Sequence, residues 1–147
     1  KYKDQQLTML VVLKGAYVFA ADLSRAISIP HELEFIRLSS YHGGTESSGE
    51  IREDLELTAD LTGKQVLIVE DIVDTGLTTD FLRARLQPLN PAGVRVAACL
   101  FKKDAFRGKT KPEFIGYTIP EQFVVGYGLD YAELGRGLPG IYVLDTV

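Results

Sequence analysis

The sequence predicts an α/β domain whose core is an open, twisted and mainly parallel sheet with flanking helices. Short apolar runs alternate with amphipathic segments along the chain, which is typical of strands connected by crossover helices. The length of 147 residues suits one compact domain, so we expect residues 1–147 to fold as a single unit. Hydrophobic residues make up 46% of the chain and charged residues 24%, which is enough apolar material for a core without disulfides or a structural metal.

The N-terminal part contains two predicted strands around a predicted helix. Leu7–Leu13 is apolar throughout and predicts a buried strand. Tyr17–Ile27 has apolar side chains at helical spacing, and Pro30 ends this region. Glu32–Leu38 alternates as a half-buried strand does. Ser39–Arg52 is small, polar and rich in glycine, which predicts a long loop of the kind that is usually functional or disordered.

The C-terminal part predicts a strand, a helix and further strands. Gln65–Val69 is the strongest strand signal, Leu77–Leu89 is the helix that follows it, and Val94–Phe101 is another buried strand. The last third of the chain contains three short predicted strands, at Phe114–Ile119, Phe123–Tyr127 and Ile141–Leu144.

Charge and composition exclude several classes of function. A net charge of −4 argues against broad nucleic-acid binding, which requires a basic surface. The chain has no apolar stretch near the roughly 18 residues that span a bilayer, and no signal peptide opens it. We therefore expect a cytoplasmic protein with no nucleic-acid or membrane partner.

A few isolated residues could suggest a site but have simpler explanations. Cys99 is the only cysteine, and its place in an apolar run predicts a buried, inert thiol. His31 and His42 lack metal-ligand spacing, so we expect both at the surface. The glycines of residues 135–140 match a dinucleotide fingerprint in form, but Pro139 lies among them and they do not connect a strand to a helix.

The most informative segment is Val66–Thr79, in which an apolar strand runs into two adjacent carboxylates, Glu70 and Asp71. A third carboxylate, Asp74, opens a small turn rich in threonine, and a helix follows. A strand, turn and helix in this order point backbone N–H groups and the helix dipole at one place, which suits a phosphate group. Carboxylates would repel that phosphate unless they bind ribose hydroxyls or magnesium. The segment therefore predicts a site for a ribose phosphate.

A purely structural explanation of the same residues stays open at this point. Asp74 or Thr75 could cap the helix, and Glu70 and Asp71 could be solvated charges at the end of a strand. It explains the whole string poorly, because it gives no reason for a pair of acids or for a threonine-rich turn.

The string Val69–Gly76 closely resembles the phosphoribosyl pyrophosphate signature of type I phosphoribosyltransferases, and the whole chain resembles their hypoxanthine-guanine branch. The resemblance implies that Glu70 and Asp71 bind the ribose hydroxyls and magnesium, and that Asp74 is the acid/base group for purine nitrogen 7. It adds to the expected fold a small hood, built partly by the C-terminal segment. It also implies that the 5-phosphate is bound by Asp74, Thr75, Gly76, Leu77, Thr78 and Thr79.

Other strings are similar to the pyrophosphate-binding parts of this family. One resembles a loop that binds through backbone amides, commonly around a non-proline cis peptide, and another resembles the start of a mobile lid, which would give the loop Ser39–Arg52 a role. An arginine would contact the pyrophosphate directly. The matching residues are Leu13, Lys14, Gly15, Ser40, Tyr41 and Arg136.

The residues that match base-binding positions are Lys103, Phe123, Val124 and Asp130. Lys103 would donate to the 6-oxo oxygen of the purine, and because an ammonium group only donates, it would disfavour adenine. Lys102 is adjacent, so this match could be shifted by one residue. Phe123 would stack on the purine, although core packing would also explain it. Asp130 would hold a second magnesium ion.

The resemblance implies an enzyme of purine salvage. It would transfer the 5-phosphoribosyl group from magnesium-bound phosphoribosyl pyrophosphate to hypoxanthine or guanine, giving IMP or GMP and pyrophosphate. It would act as a homodimer or homotetramer, and we expect part of the family's N-terminal segment to be missing here. Two alternatives stay open: a phosphoribosyltransferase for xanthine or another base, and a regulator of the same fold that binds RNA or a partner protein.

Overall fold

A computed structural model describes residues 5–40 and 50–145 of the chain. Its centre is a six-stranded sheet with the strand order β3-β2-β1-β4-β5-β6. Five of these strands are parallel, and β3 pairs antiparallel with β2 at one edge. The strands are β1 (Leu7–Leu13), β2 (His31–Ser40), β3 (Ile51–Leu55), β4 (Gln65–Val73), β5 (Gly93–Lys102) and β6 (Phe114–Ile119). The prediction of an α/β domain with a mainly parallel sheet is confirmed.

One helix packs on each face of the sheet. Helix α1 (Tyr17–Ala26) buries Ala20 against a cluster that includes Met9 of β1. Helix α2 (Leu77–Leu86) buries Leu82 and its neighbours against the opposite face. Because α1 connects β1 to β2 and α2 connects β4 to β5, each helix covers the strands that it joins.

The order of the strands identifies the edge where a ligand is expected. From β1 the chain moves outward to β2, whereas from β4 it moves in the opposite direction to β5. Ligands of open α/β sheets bind beyond the carboxyl ends of the strands at such a switch point. Here the switch point lies between the end of β1 and the end of β4.

A second, two-stranded sheet lies outside the main one. Strands β7 (Val124–Val125) and β8 (Tyr142–Val143) pair antiparallel, with Val124 opposite Val143. We call residues 123–144 the hood. It matches the small C-terminal subdomain that the sequence resemblance implied.

Several predicted boundaries were wrong. Strand β4 continues to Val73, so Glu70 and Asp71 lie inside the strand, because β5 goes on pairing with it as far as Phe101. Helix α2 ends at Leu86 and is followed by a short 3-10 helix, Gln87–Leu89. Each strand of the hood has only two residues, fewer than predicted.

The loop predicted for Ser39–Arg52 was also wrong at both ends. Ser39 and Ser40 belong to β2, and Ile51–Leu55 forms β3 beside them. Three consecutive charges within β3 conceal its alternation in the sequence, as is common for edge strands. Residues 41–49 of the predicted loop lie outside the described residues.

Two of the isolated residues can be located. Cys99 is buried with 8% of its surface exposed, as predicted, and burial raises the pKa of its thiol to about 11. His31 is partly buried rather than at the surface, because its ring nitrogens contact Ser24 Oγ at 2.7 Å and the Ile29 carbonyl at 2.8 Å. His42 lies outside the described residues. Among the described helices, none is long and apolar enough to cross a membrane.

Candidate active site

The paired carboxylates of β4 lie at the centre of the candidate site, with Glu70 buried and Asp71 partly buried. Glu70 has 5% of its surface exposed, and its Oε1 has no hydrogen-bond partner among the described residues. Burial, and then the neighbouring charge of Asp71, hold the pKa of Glu70 well above its usual range. Burial also raises the pKa of Asp71, although its hydrogen bond from the Ile72 amide (2.7 Å) opposes the rise. These carboxylates are therefore not solvated strand-end charges, and they are poised to accept hydroxyl donors or a cation.

The turn after β1 lies directly against one of these carboxylates. The peptide bond between Leu13 and Lys14 is cis, as the sequence resemblance implied. A Cβ atom added to Gly15 would lie 1.8 Å from Asp71 Oδ2. Only glycine leaves room for this approach, so the predicted pyrophosphate turn and the predicted ribose-binding acid are immediate neighbours.

The turn after β4 leads into α2 through Gly76, which has a left-handed φ of 90°. No side chain caps the helix, so the interpretation of Asp74 as a helix cap is wrong. The Thr79 hydroxyl is buried and donates to the Gly76 carbonyl at 3.1 Å, which braces the turn from inside. Thr75 Oγ1 accepts a long 3.4 Å hydrogen bond from the Leu77 amide. Apart from the Leu77 amide, no N-terminal amide of α2 has a side-chain partner among the described residues, so these amides remain available to an anion.

A loop that follows β5 supports this turn, and our sequence interpretation missed it. A Cβ atom on Gly76 would lie 2.5 Å from the ring of Phe106, and the Arg107 amide donates to the Thr75 carbonyl at 2.9 Å. Phe106 in turn packs edge-on against Phe101, with ring centroids 5.3 Å apart. An aromatic residue shortly after the β5 strand was the only available signal.

The lysine at the carboxyl end of β5 that enters the site is Lys102. Its ammonium group contacts Asp74 Oδ2 at 3.2 Å, and only 14% of its side chain is exposed. Lys103, which we had selected from the sequence, is exposed. Lys102 is the last residue of β5 and Lys103 lies in the turn that follows, so a shift of one residue decides which lysine contacts Asp74.

The hood brings the remaining C-terminal residues together. Val124 is buried, whereas Phe123 is 51% exposed and packs edge-on against Tyr131, so core packing does not explain Phe123. Arg136 donates from Nη1 to the Gly128 carbonyl at 2.8 Å, and its Nη2 lies 3.5 Å from Asp130 Oδ1.

Two predicted residues are described incompletely or not at all. Ser40 is the last residue of β2, and Tyr41 lies outside the described residues. Lys14, by contrast, is exposed and pairs with Glu133 of the hood at 2.9 Å. This ion pair connects the turn after β1 to the hood.

A cleft of about 230 Å³ at the carboxyl edge of the sheet is lined by the end of β4, the turn after it and parts of β1, β2 and β3. Its floor consists of Glu70, Asp71 and the turn after β4, and Val12, Leu38 and Ile51 form its apolar side. A cleft of this kind has an anion-binding helix end at one point and buried acceptors beside it. It can hold a ligand that carries both a phosphate group and hydroxyl groups.

Comparison with known proteins assigns the family. Residues 1–132 match the family model described as the phosphoribosyl transferase domain. The hypoxanthine-guanine phosphoribosyltransferase of Mycobacterium tuberculosis (strain CDC 1551 / Oshkosh) is 48% identical over 141 residues, covering 96% of this chain and 70% of the relative. The enzyme of the same name from Dictyostelium discoideum is 44% identical, covering 94% and 79%.

Solved structures give the same result. A hypoxanthine phosphoribosyltransferase from Staphylococcus aureus superposes with a TM-score of 0.92 at 38% identity, covering 98% of this chain and 78% of the other. The Trypanosoma cruzi enzyme in complex with the product IMP superposes with a TM-score of 0.88 at 40% identity, covering 97% and 76%. The chain therefore belongs to the phosphoribosyltransferase family, in its hypoxanthine-guanine branch.

Proposed function

We propose that this chain transfers the 5-phosphoribosyl group of phosphoribosyl pyrophosphate to nitrogen 9 of hypoxanthine or guanine. In this reaction the bond from ribose C1′ to the pyrophosphate oxygen breaks, and a bond from C1′ to nitrogen 9 forms. The products are IMP or GMP and pyrophosphate. The observation that carries this proposal is that buried Glu70 and partly buried Asp71 lie between the turn after β1 and the turn after β4.

The ribose phosphate fits the floor of the cleft. The amides from Asp74 to Thr79 bind the 5-phosphate at the start of α2, where the helix dipole favours negative charge. Glu70 and Asp71 accept hydrogen bonds from the ribose hydroxyls, which satisfies the unpartnered Glu70 Oε1. As the bond at C1′ stretches, positive charge develops on the ribose ring, and the same two carboxylates stabilise it.

The purine fits between the hood and the end of β5. Phe123 stacks on the ring, and the backbone groups of Val124 face its edge. Lys102 donates to the 6-oxo oxygen; this assignment replaces Lys103, because Lys102 is the lysine that contacts Asp74. Asp74 accepts the proton from nitrogen 7 while nitrogen 9 attacks.

The pyrophosphate fits against the turn after β1. The amides of Lys14 and Gly15 bind it, and Arg136 approaches from the hood. Ser40 and Tyr41 are assigned from the sequence resemblance alone, as the start of a lid that would exclude water. The assignments of Lys14, Gly15 and Arg136 come from their positions together with the sequence resemblance.

The acidic groups are suited to magnesium, which binds oxygen ligands. In the described ranges no three His, Cys, Asp or Glu side chains cluster closely enough to hold a metal alone. Magnesium commonly binds through one or two carboxylates and the phosphates of a substrate, and Glu70, Asp71 and Asp130 supply such carboxylates. When bound, the ion neutralises charge on the pyrophosphate and makes it a better leaving group.

We also propose the setting of this reaction. The chain acts in the cytoplasm as a homodimer or homotetramer, without a nucleic-acid or membrane partner. Its net charge of −4 supports the absence of a nucleic-acid partner.

A spectrophotometric assay tests the proposed function. The protein is incubated with phosphoribosyl pyrophosphate, magnesium and one of hypoxanthine, guanine, xanthine or adenine. We expect turnover of hypoxanthine or guanine and none of adenine. Folded protein that binds the donor but turns over no base would contradict an enzymatic function and favour a regulator of the same fold.

A further inference from the structure

The hood is fastened to helix α1 by a side chain that takes no direct part in the proposed reaction. Tyr127 extends from the hood to α1, where its phenol group donates a hydrogen bond to Asp22 Oδ2. The two residues are 105 positions apart in the sequence, and the contact is partly buried. The tyrosine ring packs beside Cys99 and Phe19 in the cluster that joins the hood to the sheet.

The backbone at Tyr127 has an unusual conformation that its surroundings must maintain. Gly126, Tyr127 and Gly128 have φ angles of 101°, 50° and 97°, so three consecutive residues lie in the left-handed region. This region is unfavourable for tyrosine. Two backbone hydrogen bonds support it, from the Tyr127 amide to the Leu138 carbonyl (3.0 Å) and from the Gly128 amide to the Arg136 carbonyl (2.9 Å). We call residues 126–128 the hood turn.

The hood turn lies on the turn after β1. A Cβ atom on Gly128 would lie 2.3 Å from the Gly15 carbonyl oxygen, so the two backbones touch there. Arg136 donates from Nη1 to the Gly128 carbonyl at 2.8 Å. A displacement of the hood turn would therefore move both the surface beside Gly15 and the guanidinium group of Arg136.

The Asp22 end of the contact is electrostatically suited to accept the phenol hydrogen. The hydrogen bond from Tyr127, and then that from Arg25, lower the pKa of Asp22. Burial, together with the hydrogen bond to Asp22, raises the pKa of the Tyr127 phenol. The pair consequently remains a neutral donor and a charged acceptor, a combination that gives a strong hydrogen bond.

From this geometry we propose that Tyr127 and Asp22 are positioning residues for the pyrophosphate half of the donor site. They hold the hood turn against the turn after β1, and through it they place Arg136. The inference rests on the proposed function. Of the proposed base-binding residues, Val124 lies on β7, which is held by its pairing with β8, and Lys102 lies on β5 of the main sheet, so we expect a larger effect on the donor than on the base.

The test compares Tyr127→Phe and Asp22→Ala with two matched controls. Tyr117→Phe removes a phenol hydroxyl from an exposed position on β6, and Arg25→Ala removes the other partner of Asp22. For each variant, KM for phosphoribosyl pyrophosphate, KM for hypoxanthine and kcat are measured, together with pyrophosphate binding by calorimetry and thermal unfolding.

We expect Tyr127→Phe and Asp22→Ala each to raise the donor KM and the pyrophosphate Kd by about tenfold, the factor that one hydrogen bond to a charged group corresponds to. The KM for hypoxanthine should change less than about twofold, and the controls should resemble the parent. The double variant should be no worse than either single one, because both remove the same interaction.

Two outcomes would overturn the inference while leaving the proposed function intact, provided that the parent protein is active. In the first, both variants keep the parent's KM for the donor. In the second, KM for the donor and KM for the base rise equally, which would indicate general loosening of the hood. If Tyr127→Phe does not fold, Asp22→Ala decides in the same way. A parent that neither binds pyrophosphate nor turns over a base would instead overturn the proposed function.

Discussion

At the residue scale, the contact between Asp74 and Lys102 links the two elements to which we assign the purine edge. Asp74 follows β4 and Lys102 ends β5, and these strands are neighbours in the sheet. Half of the Asp74 side chain is exposed toward the cleft, whereas Lys102 is largely covered. A purine edge that offers an N–H group and a carbonyl oxygen matches this pairing of an acceptor with a donor.

The variant Asp74→Asn tests the acid/base role. An amide has nearly the same shape but cannot take the proton from nitrogen 7, so we expect kcat to fall by about 10²-fold or more. Donor binding, measured by calorimetry, should weaken far less. Asp104→Asn, an exposed position after β5, serves as the control. Equal losses of turnover and donor binding would contradict the acid/base role.

The adjacent lysines provide their own control for base recognition. Lys102→Ala should raise KM for hypoxanthine by about ten- to a hundredfold, because a charged hydrogen bond to the 6-oxo oxygen is lost. Lys103→Ala should leave this KM nearly unchanged, because its side chain is exposed. The reverse ranking, measured in the same kinetic assay, would restore our original choice of Lys103.

Sequence reasoning could propose residues for the candidate site because they occur in short local strings. It indicated Lys103 and left Lys102 open, because a string does not show where the strand ends and which lysine contacts a neighbouring strand. It missed Tyr127 and Asp22 for a different reason. Their contact joins positions far apart in the chain, and either residue alone looks like an ordinary part of a helix or a turn.

At the element scale, β4 positions the two carboxylates because it pairs with its two neighbouring strands over different lengths. On one side its pairing with β1 stops at Val69, and on the other its pairing with β5 continues to Val73. Glu70 and Asp71 are therefore held in a strand by β5 while the side toward β1 is open. The sequence could not reveal this, because strand length here depends on the partner strand and not on local propensity.

The open side is filled by the turn after β1, and Gly15→Ala tests that contact. The added methyl group would overlap Asp71 Oδ2, so either the turn or the carboxylate must move. We expect donor affinity to fall at least about tenfold and the melting temperature to drop by several degrees, as overpacking of about 1–3 kcal/mol causes.

Gly137→Ala is the matched control for this change, because a Cβ atom there would meet nothing within 4 Å. Its donor affinity and melting temperature, measured by calorimetry and thermal unfolding, should stay close to those of the parent. If Gly15→Ala behaved like this control, the close approach between the turn and Asp71 would be unimportant for the site.

At the scale of the whole molecule, the proposed site draws its residues from three parts of the fold. The sheet supplies the carboxylates, α2 supplies its N-terminal amides, and the hood supplies Phe123 and Arg136. Apart from β3, the order of the main-sheet elements was predictable because hydrophobic periodicity is a local property. The seating of the hood was not, because it depends on backbone contacts such as that between Gly128 and Gly15.

Cys99 offers a probe of this assembly, because it lies in the cluster where sheet and hood meet. With a thiol pKa of about 11, only about one thiol in a thousand is ionised at pH 8, and the thiolate is the reactive form. Folded protein should therefore react slowly with a thiol reagent, and protein unfolded in guanidinium should react at the rate of a free cysteine.

If Cys99 reacts only through opening of the structure, ligands that bind the native state must slow its labelling. Magnesium and phosphoribosyl pyrophosphate at about a hundred times their Kd should slow labelling by up to about a hundredfold when reclosing is fast. The ratio of the labelling rates with and without ligand then shows how strongly donor binding holds the sheet and the hood together. Labelling that is fast and insensitive to the donor would mean that reagents reach Cys99 in the native state, and that donor binding does not hold sheet and hood together.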